Sequence, residues 1–229
     1  MNSILDIKHA FYINLLSRPD RKEHVENQLK RIGIKVERFN AVKMKNGAIG
    51  CSMSHLKLIE MAKKNEWDHI LIVEDDILFT KPEVFIDSFN KFLFNHPNFD
   101  VALIAGNNLP PYAKIDDSCV QVTRCQTTTG YLVKSHYYDK MIENYKEGIL
   151  NLMKDSNNHI VYAIDKYWFK LQQLDNWYLI IPLTVTQRED YSDIEKRPTN
   201  YTPAMLDLDK VAFLKRQKEL AAVRKINFT

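Results

Sequence analysis

The sequence predicts an α/β protein, a mostly parallel sheet flanked by helices in a single domain. Three observations lead there. The run Ile70-Leu71-Ile72-Val73 is short, apolar and β-branched, which suits a strand buried on both faces. Strand-like and helix-like segments alternate along the chain, the pattern of βαβ units. At 229 residues, with 45% hydrophobic and 27% charged residues, the chain is long enough for one substantial core.

The elements follow in order. Ala10 to Leu16 reads as a first strand, with Ser17 as helix cap and Pro19 and Asp20 in the first turn. That helix runs through Leu29 and stops at Gly33. Lys35 to Phe39 suits a second strand, and residues 43–50, with Gly47 and Gly50, a flexible loop. A helix from about Ser52 places Met53, Leu56, Ile59 and Ala62 on one stripe. After the Ile70 strand, Pro82 opens a further helix. Asp100 to Ala105 is another buried strand, and residues 107–111 read as a loop. Strand signal returns near Val120 and Tyr131, helical periodicity at Ser135 to Tyr145 and Ile164 to Leu171, and a late strand at Trp177 to Ile181. Beyond Arg188 the chain turns polar, as expected of a segment that covers a site or moves. Residues 196–229 form a loop and helix extension, with Val211 to Val223 an amphipathic helix turning Lys215, Arg216 and Lys218 outward. Such a helix docks on the body or lies on a membrane surface.

A net charge of +3, with basic residues interleaved among acids, gives no basic face for nucleic acid. The first residues lack the apolar core of a signal peptide, and no apolar run approaches the roughly 20 residues of a membrane span. Cys51, Cys119 and Cys125 form no CxxC pair, so a disulfide framework is not expected, although Cys119 and Cys125 could pair across a turn. A reducing, cytoplasmic setting is the simplest expectation.

Glu74, Asp75 and Asp76 close the Ile70 strand. Carboxylates gathered where a buried strand ends call for a cation, because desolvating them unpaired costs several kcal/mol or more. Ligands of open α/β sheets bind at the same ends of the strands. A hard divalent ion, Mn2+ or Mg2+, holding a phosphate there satisfies both conditions. An acidic turn facing water is the competing explanation.

Several segments, in order, resemble glycosyltransferase family 25, which includes lipopolysaccharide-modifying galactosyltransferases and collagen hydroxylysine galactosyltransferases. They are Tyr12-Ile13-Asn14-Leu15 with Arg18-Pro19-Asp20-Arg21, Val36 to Val42, Gly50-Cys51-Ser52-Met53-Ser54-His55-Leu56, and Ile72-Val73-Glu74-Asp75-Asp76. Weaker echoes are Thr129-Gly130-Tyr131, the segment around Asp165, and Gln187 with Ser192-Asp193-Ile194. The resemblance implies a GT-A-type, Rossmann-like sheet that binds a UDP-sugar, usually with manganese. It makes Asp76 the metal ligand and sets Glu74 or Asp75 against ribose or a metal-bound water. Asn14 and Leu15 would meet the uracil edge and Arg18 a phosphate, while both Arg18 and Arg21 have a helix-surface ion pair as their alternative. Ser54 and His55 would contact donor phosphate or sugar near a helix start, with a half-buried histidine capping the sheet as the alternative for His55. Thr128, Thr129 and Gly130 would serve the sugar, or simply turn the chain into a strand. Asp165, beside Tyr167 and Trp168, is the candidate general base, with helix capping as its alternative. Gln187 would touch the donor and Asp193 order a closing loop. Lys43 stands where the family commonly shows Asp.

The expected activity is inverting transfer of a hexose, galactose or glucose, from a UDP-sugar to a hydroxyl of a glycan or hydroxylysine-containing protein. A metal-dependent phosphotransferase or nuclease would need a nucleophilic Asp or two separated carboxylate clusters, and a phosphate loop; the chain has no GxxxxGK(S/T) and no second acidic cluster of equal clarity. A non-catalytic nucleotide- or glycan-binding descendant stays open because of Lys43.

Overall fold

The computed structural model describes residues 1–192 and 197–226. A 3-10 turn (Ile4–Asp6) leads into β1 (Ala10–Asn14), α1 (Pro19–Arg31), β2 (Glu37–Asn40), α2 (Gly47–Lys64) and β3 (His69–Glu74). A short β4 (Ile77–Phe79) precedes α3 (Pro82–Asn95) and β5 (Val101–Leu103). The long hairpin β6 (Asn107–Lys114) and β7 (Cys119–Gln126) returns to β8 (Gly130–Lys134). Helices α4 (Tyr138–Lys154), α5 (His159–Tyr162), α6 (Ile164–Tyr167) and α7 (Phe169–Gln172) precede β9 (Trp177–Ile180). The chain continues through β10 (Val185–Gln187), β11 (Asp190–Ser192), β12 (Arg197–Thr199), α8 (Thr202–Met205) and α9 (Lys210–Ile226).

The central sheet has the order β2-β1-β3-β8-β5-β9-β7-β6. Pairs β1/β2, β1/β3 and β5/β9 are parallel, and β8 lies antiparallel between β3 and β5. Within β2 to β9, then, every strand but β8 points one way, and the β6–β7 hairpin is added antiparallel along β9. This is the expected α/β class. Period-two alternation sends Leu71 and Val73 into one apolar layer, with Val25, Leu29 and the Phe85–Phe89–Phe92 row of α3. Ile70 and Ile72 enter the other, with Leu58, Ile59, Met141, Tyr145 and Trp168. Both faces of β3 are therefore dry, which is why its sequence reads as one continuous apolar run.

Several expectations are corrected. Ser17 is not the cap of α1: Arg18 holds that position without a side-chain cap bond, and Pro19, with its fixed φ, opens the helix. The loop expected at 43–50 ends early, because the Asn46 side chain accepts from the amides of Ala48 and Ile49 and starts α2 at Gly47. The stripe of α2 that enters the core runs through Ser52, His55, Leu58, Ile59 and Ala62, and Met53 and Leu56 are only half-buried. Residues 107–111 belong to an edge strand, and Pro110 and Pro111 fall where its pairing with β7 slips between Leu109 and Tyr112, so neither is asked for a ladder bond. The stretch 164–171 divides into two short helices, and α4 runs nine residues beyond Tyr145. β4, with its antiparallel partner β10, and β11 with β12 had no clear sequence signal. Cys119 and Cys125 lie on the same strand, about 20 Å apart at ~3.3 Å per residue, and both thiols are free. In α9, Lys215, Arg216 and Lys218 are exposed as expected, and so is Leu214. No described helix is long and apolar enough to cross a membrane.

Candidate active site

A crevice of about 690 Å³ opens at the carboxyl ends of β1 and β3, beside the loop entering β8. Its floor is the turn from β3 into β4, where Glu74, Asp75 and Asp76 follow one another. Backbone pairing fixes that turn: the Glu74 amide donates to Thr129 O at 2.9 Å, and the Arg188 amide to Asp76 O at 2.8 Å. The three acids thus have three surroundings.

Glu74 faces α2. Its Oε1 accepts from Thr128 Oγ1 at 2.7 Å and lies 3.4 Å from His55 Nε2 and 3.6 Å from Cys51 Sγ. Its Oε2 accepts from Gln187 Nε2 at 3.4 Å. Burial works to raise this carboxyl, yet the hydrogen bond and charge of His55, with Thr128 and Cys51, hold it below the usual range. Asp75 is spoken for: Asn14 Nδ2 donates to it at 2.7 Å and Arg21 at 3.0 Å. Burial still raises it, against the pull of Arg21. Asp76 is the unsatisfied one. Among the described residues its Oδ1 is buried without a partner, and its Oδ2 has Arg21 at 3.6 Å. Burial first, then the Glu74 charge, push this carboxyl up to about 8. An orphaned carboxylate oxygen on an acidic floor is a position that a cation would satisfy, so the residues present fit a hard divalent ion at Asp76.

Arginines line the adjoining wall. Asp190 Oδ2 accepts from Arg18 at 2.7 Å and Arg21 Nε at 3.0 Å and pairs with the Arg188 guanidinium 3.0 Å away. Arg18 also grips Asp20 through two bonds, at 2.9 and 3.0 Å. Arg21 is therefore not a surface pair: it bridges Asp75, Asp76 and Asp190, with its side chain 13% exposed. These contacts hold β11 and β12 over the crevice, where Ser192, Arg197 and Thr199 add to the lining. The polar segment after Arg188 covers the site in this way. Asp193 and Ile194 lie outside the described residues. Among the described lining residues seven Lys and Arg face five Asp and Glu, a balance that suits an anionic ligand.

Of the residues expected from sequence, Leu15, Arg18, Ser54, His55, Glu74, Asp75, Asp76, Asp165 and Gln187 line the crevice. Asn14, Thr129 and Gly130 do not. Asn14 is buried behind the wall, donating to Asp75 and to Arg18 O while its Oδ1 accepts from Arg38 at 2.7 Å. Its amide is thereby committed to holding β1 against the acidic turn. Thr129 is fully buried, its hydroxyl donating to Thr127 at 3.2 Å, while Thr128 contributes the lining hydroxyl. Gly130 is a packing position, since a Cβ there would meet Ile104 Cγ1 at 2.6 Å. The Ser54 hydroxyl is shared between Gly50 O and the Val42 amide, both at 2.8 Å. Asp165 Oδ2 accepts from the Thr127 amide at 3.1 Å and lies 3.6 Å from Lys166 Nζ. Thr127 has φ +73°, a conformation costly for a β-branched residue, and Asp165 helps to hold it. The aromatic neighbours expected around Asp165 turn elsewhere: Trp168 is in the core, bonded to Cys125 O, and the Tyr167 hydroxyl meets Asn151. Sequence reasoning missed Asp190 and Arg188. Alternating charge in Arg188-Glu189-Asp190 was the only local signal, and long-range pairing with α1 gives it meaning.

A mixed α/β sheet with its charged crevice at the strand ends defines a protein of the class that binds its ligands at that edge. A family model described as "Glycosyltransferase family 25 (LPS biosynthesis protein)" matches residues 43–167, more than half of the 229 residues, and the chain belongs to that family of transferases. A protein of Drosophila pseudoobscura pseudoobscura named "Glycosyltransferase 25 family member" is 32% identical, over 33% of this chain and 16% of its own length. A "Putative glycosyltransferase" of Haemophilus influenzae is 38% identical, over 31% of this chain and 33% of its own. The matched region thus spans a third or less of these relatives. Among solved structures, a glycosyltransferase involved in glycosylation of the major capsid of PBCV-1 aligns with TM-score 0.43 and 13% identity, over 76% of this chain and 82% of that one. That likeness is too loose to carry function.

Proposed function

We propose that the chain transfers a hexose, galactose or glucose, from a UDP-sugar to a hydroxyl of a glycan or a hydroxylysine-bearing protein, with inversion and with Mn2+ or Mg2+. The observation that carries this reading is the buried, partnerless Oδ1 of Asp76 on the floor of a crevice lined with cations. Asp76 would hold the ion, which when bound supplies charge stabilisation to a departing diphosphate. Arg18 and Arg188, on the same wall, donate charge-assisted hydrogen bonds to phosphate oxygens. Arg21 keeps the acidic turn in register by bridging Asp75 and Asp76. Glu74, fixed by His55, Thr128 and Gln187, presents a rigid acceptor edge to donor hydroxyls. Asp165 Oδ2 is held by Thr127 and Lys166, and its Oδ1 would take the acceptor hydroxyl proton as that oxygen attacks the anomeric carbon opposite UDP. The strap of β11 and β12 sheds water from the reacting centre.

The test is UDP release from UDP-galactose and UDP-glucose, with and without Mn2+, for the native protein and Asp76→Ala. Native turnover should need the metal, and Asp76→Ala should lose it at least 100-fold with an unchanged circular dichroism spectrum. Full turnover in the variant, or turnover indifferent to a chelator, contradicts the metal assignment. UDP binding without turnover, across many acceptors, selects a binding protein instead.

A further inference from the structure

Cys51 and His55 stand four residues apart on α2, so they share one helix face, and both point at the tip of β3. Glu74 Oε1 lies 3.6 Å from Cys51 Sγ and 3.4 Å from His55 Nε2. A tetrahedral zinc ion has Zn–S near 2.3 Å and Zn–N and Zn–O near 2.1 Å, which makes its S–O and N–O edges roughly 3.6 and 3.4 Å. Two edges of that tetrahedron are therefore already formed. The third, Sγ to Nε2, is within 4.8 Å and needs at most about an ångström of closure. We propose that Cys51, His55 and Glu74 form a three-ligand site for Zn2+ or a similar transition metal, separate from the hard-ion position at Asp76, with its open fourth position toward the crevice.

The surroundings agree with that chemistry. A metal-binding imidazole needs a partner for its other nitrogen, and His55 Nδ1 lies 2.8 Å from the Tyr131 hydroxyl, which Tyr145 in turn meets at 3.1 Å. In the neutral tautomer that carries its proton on Nε2, His55 donates to Glu74 and its Nδ1 accepts from Tyr131. On binding, the imidazole proton is carried on Nδ1, which donates to Tyr131 Oη, an oxygen that also accepts from the Tyr145 hydroxyl. Cys51 releases its thiol proton to solvent. One proton leaves per ion bound, and the ion replaces the two hydrogen-bond donors that Glu74 gives up. Thiolate and imidazole select zinc and its neighbours over Mg2+ or Mn2+, whereas Asp76 offers only oxygen. The site lies in the wall of the crevice and draws on Glu74, so an ion bound there would compete with the donor.

The experiment uses Co2+ as a spectroscopic stand-in for zinc on the metal-free chain. One equivalent should produce a thiolate-to-cobalt charge-transfer band with tetrahedral visible absorption, and Zn2+ should abolish both. Cys51→Ser should lose the charge-transfer band, and His55→Gln should weaken Co2+ binding at least tenfold. Asp76→Asn should keep the band, because its ion position has no sulfur. Near-ultraviolet circular dichroism checks that each variant is folded. The absence of a thiolate band in the native chain overturns the proposal, as does its survival in folded Cys51→Ser or its loss in folded Asp76→Asn. None of these readings depends on sugar transfer, so the zinc site and the transferase reading stand or fall separately.

Discussion

Asp190 Oδ2 takes hydrogen bonds from Arg18 and Arg21 and has the Arg188 guanidinium at ion-pair distance, so removing its charge would leave three cations facing one another. Against its burial, the Tyr191 amide and the arginines hold this carboxyl down at about 2. A carboxyl depressed below its unfolded value near 3.9 contributes stability that is present above about pH 4 and is lost as pH falls through about 2. Asp190→Asn should therefore lower the stability at pH 7 by on the order of 1 kcal/mol, and the difference should shrink toward zero at pH 2. Paired thermal melts at the two pH values check this, and equal losses at both would contradict it. At the same scale, Glu74 and Asp76 were legible from sequence because three acids after an apolar run demand compensation. Arg21 was not, since one arginine on a polar helix face looks the same whether it meets solvent or three carboxylates. Asn14 was misplaced for a related reason: a strand-end amide can face a ligand or a neighbouring turn, and only the position of Asp75 decides which.

Among the elements, α2 shows how a helix is fixed by what touches it. Gly50 would cost a free helix about 1 kcal/mol relative to alanine. Here a Cβ would sit 2.5 Å from Val42 O and 3.3 Å from the Met44 amide, and backbone cannot move aside as a side-chain tip can. The clash outweighs the propensity gain, so Gly50→Ala should destabilise by about 1–3 kcal/mol. For a chain of this size that is a fall of roughly 2–4 °C in Tm per kcal/mol. Because Val42, Met44 and Lys45 line the crevice, UDP binding should weaken in parallel, which titration calorimetry would register. A more stable variant would show that the loop yields freely. The sequence treated Gly47 and Gly50 as signs of a loose loop, whereas the tertiary fold uses Gly50 for close approach. Strand and helix existence was otherwise readable wherever a periodic run exceeded about five residues. The three-residue strands β4, β10, β11 and β12 carry too few side chains for a period, and their pairing is non-local.

For the molecule as a whole, ligand binding should report on the crevice through global stability. A ligand that binds only the folded state stabilises it by RT ln(1 + [L]/Kd), or about 2.7 kcal/mol at 100 times Kd. UDP with Mn2+ should therefore raise the Tm of the native chain by several degrees, UDP alone by less, and Asp76→Ala should abolish the metal-dependent increment. An equal shift in native and variant proteins would place the ion elsewhere. The sequence by itself determined the α/β class, both dry faces of β3, the acidic tip and the likeness to family 25, because each is written in consecutive residues or in spacings of two to four. The tertiary structure decided which carboxylate lacks a partner, which arginines meet it, and that Cys51 and His55 converge on Glu74. Those outcomes depend on Coulomb and hydrogen-bond contacts between segments 19 to 172 residues apart, and such contacts leave no periodic trace along the chain.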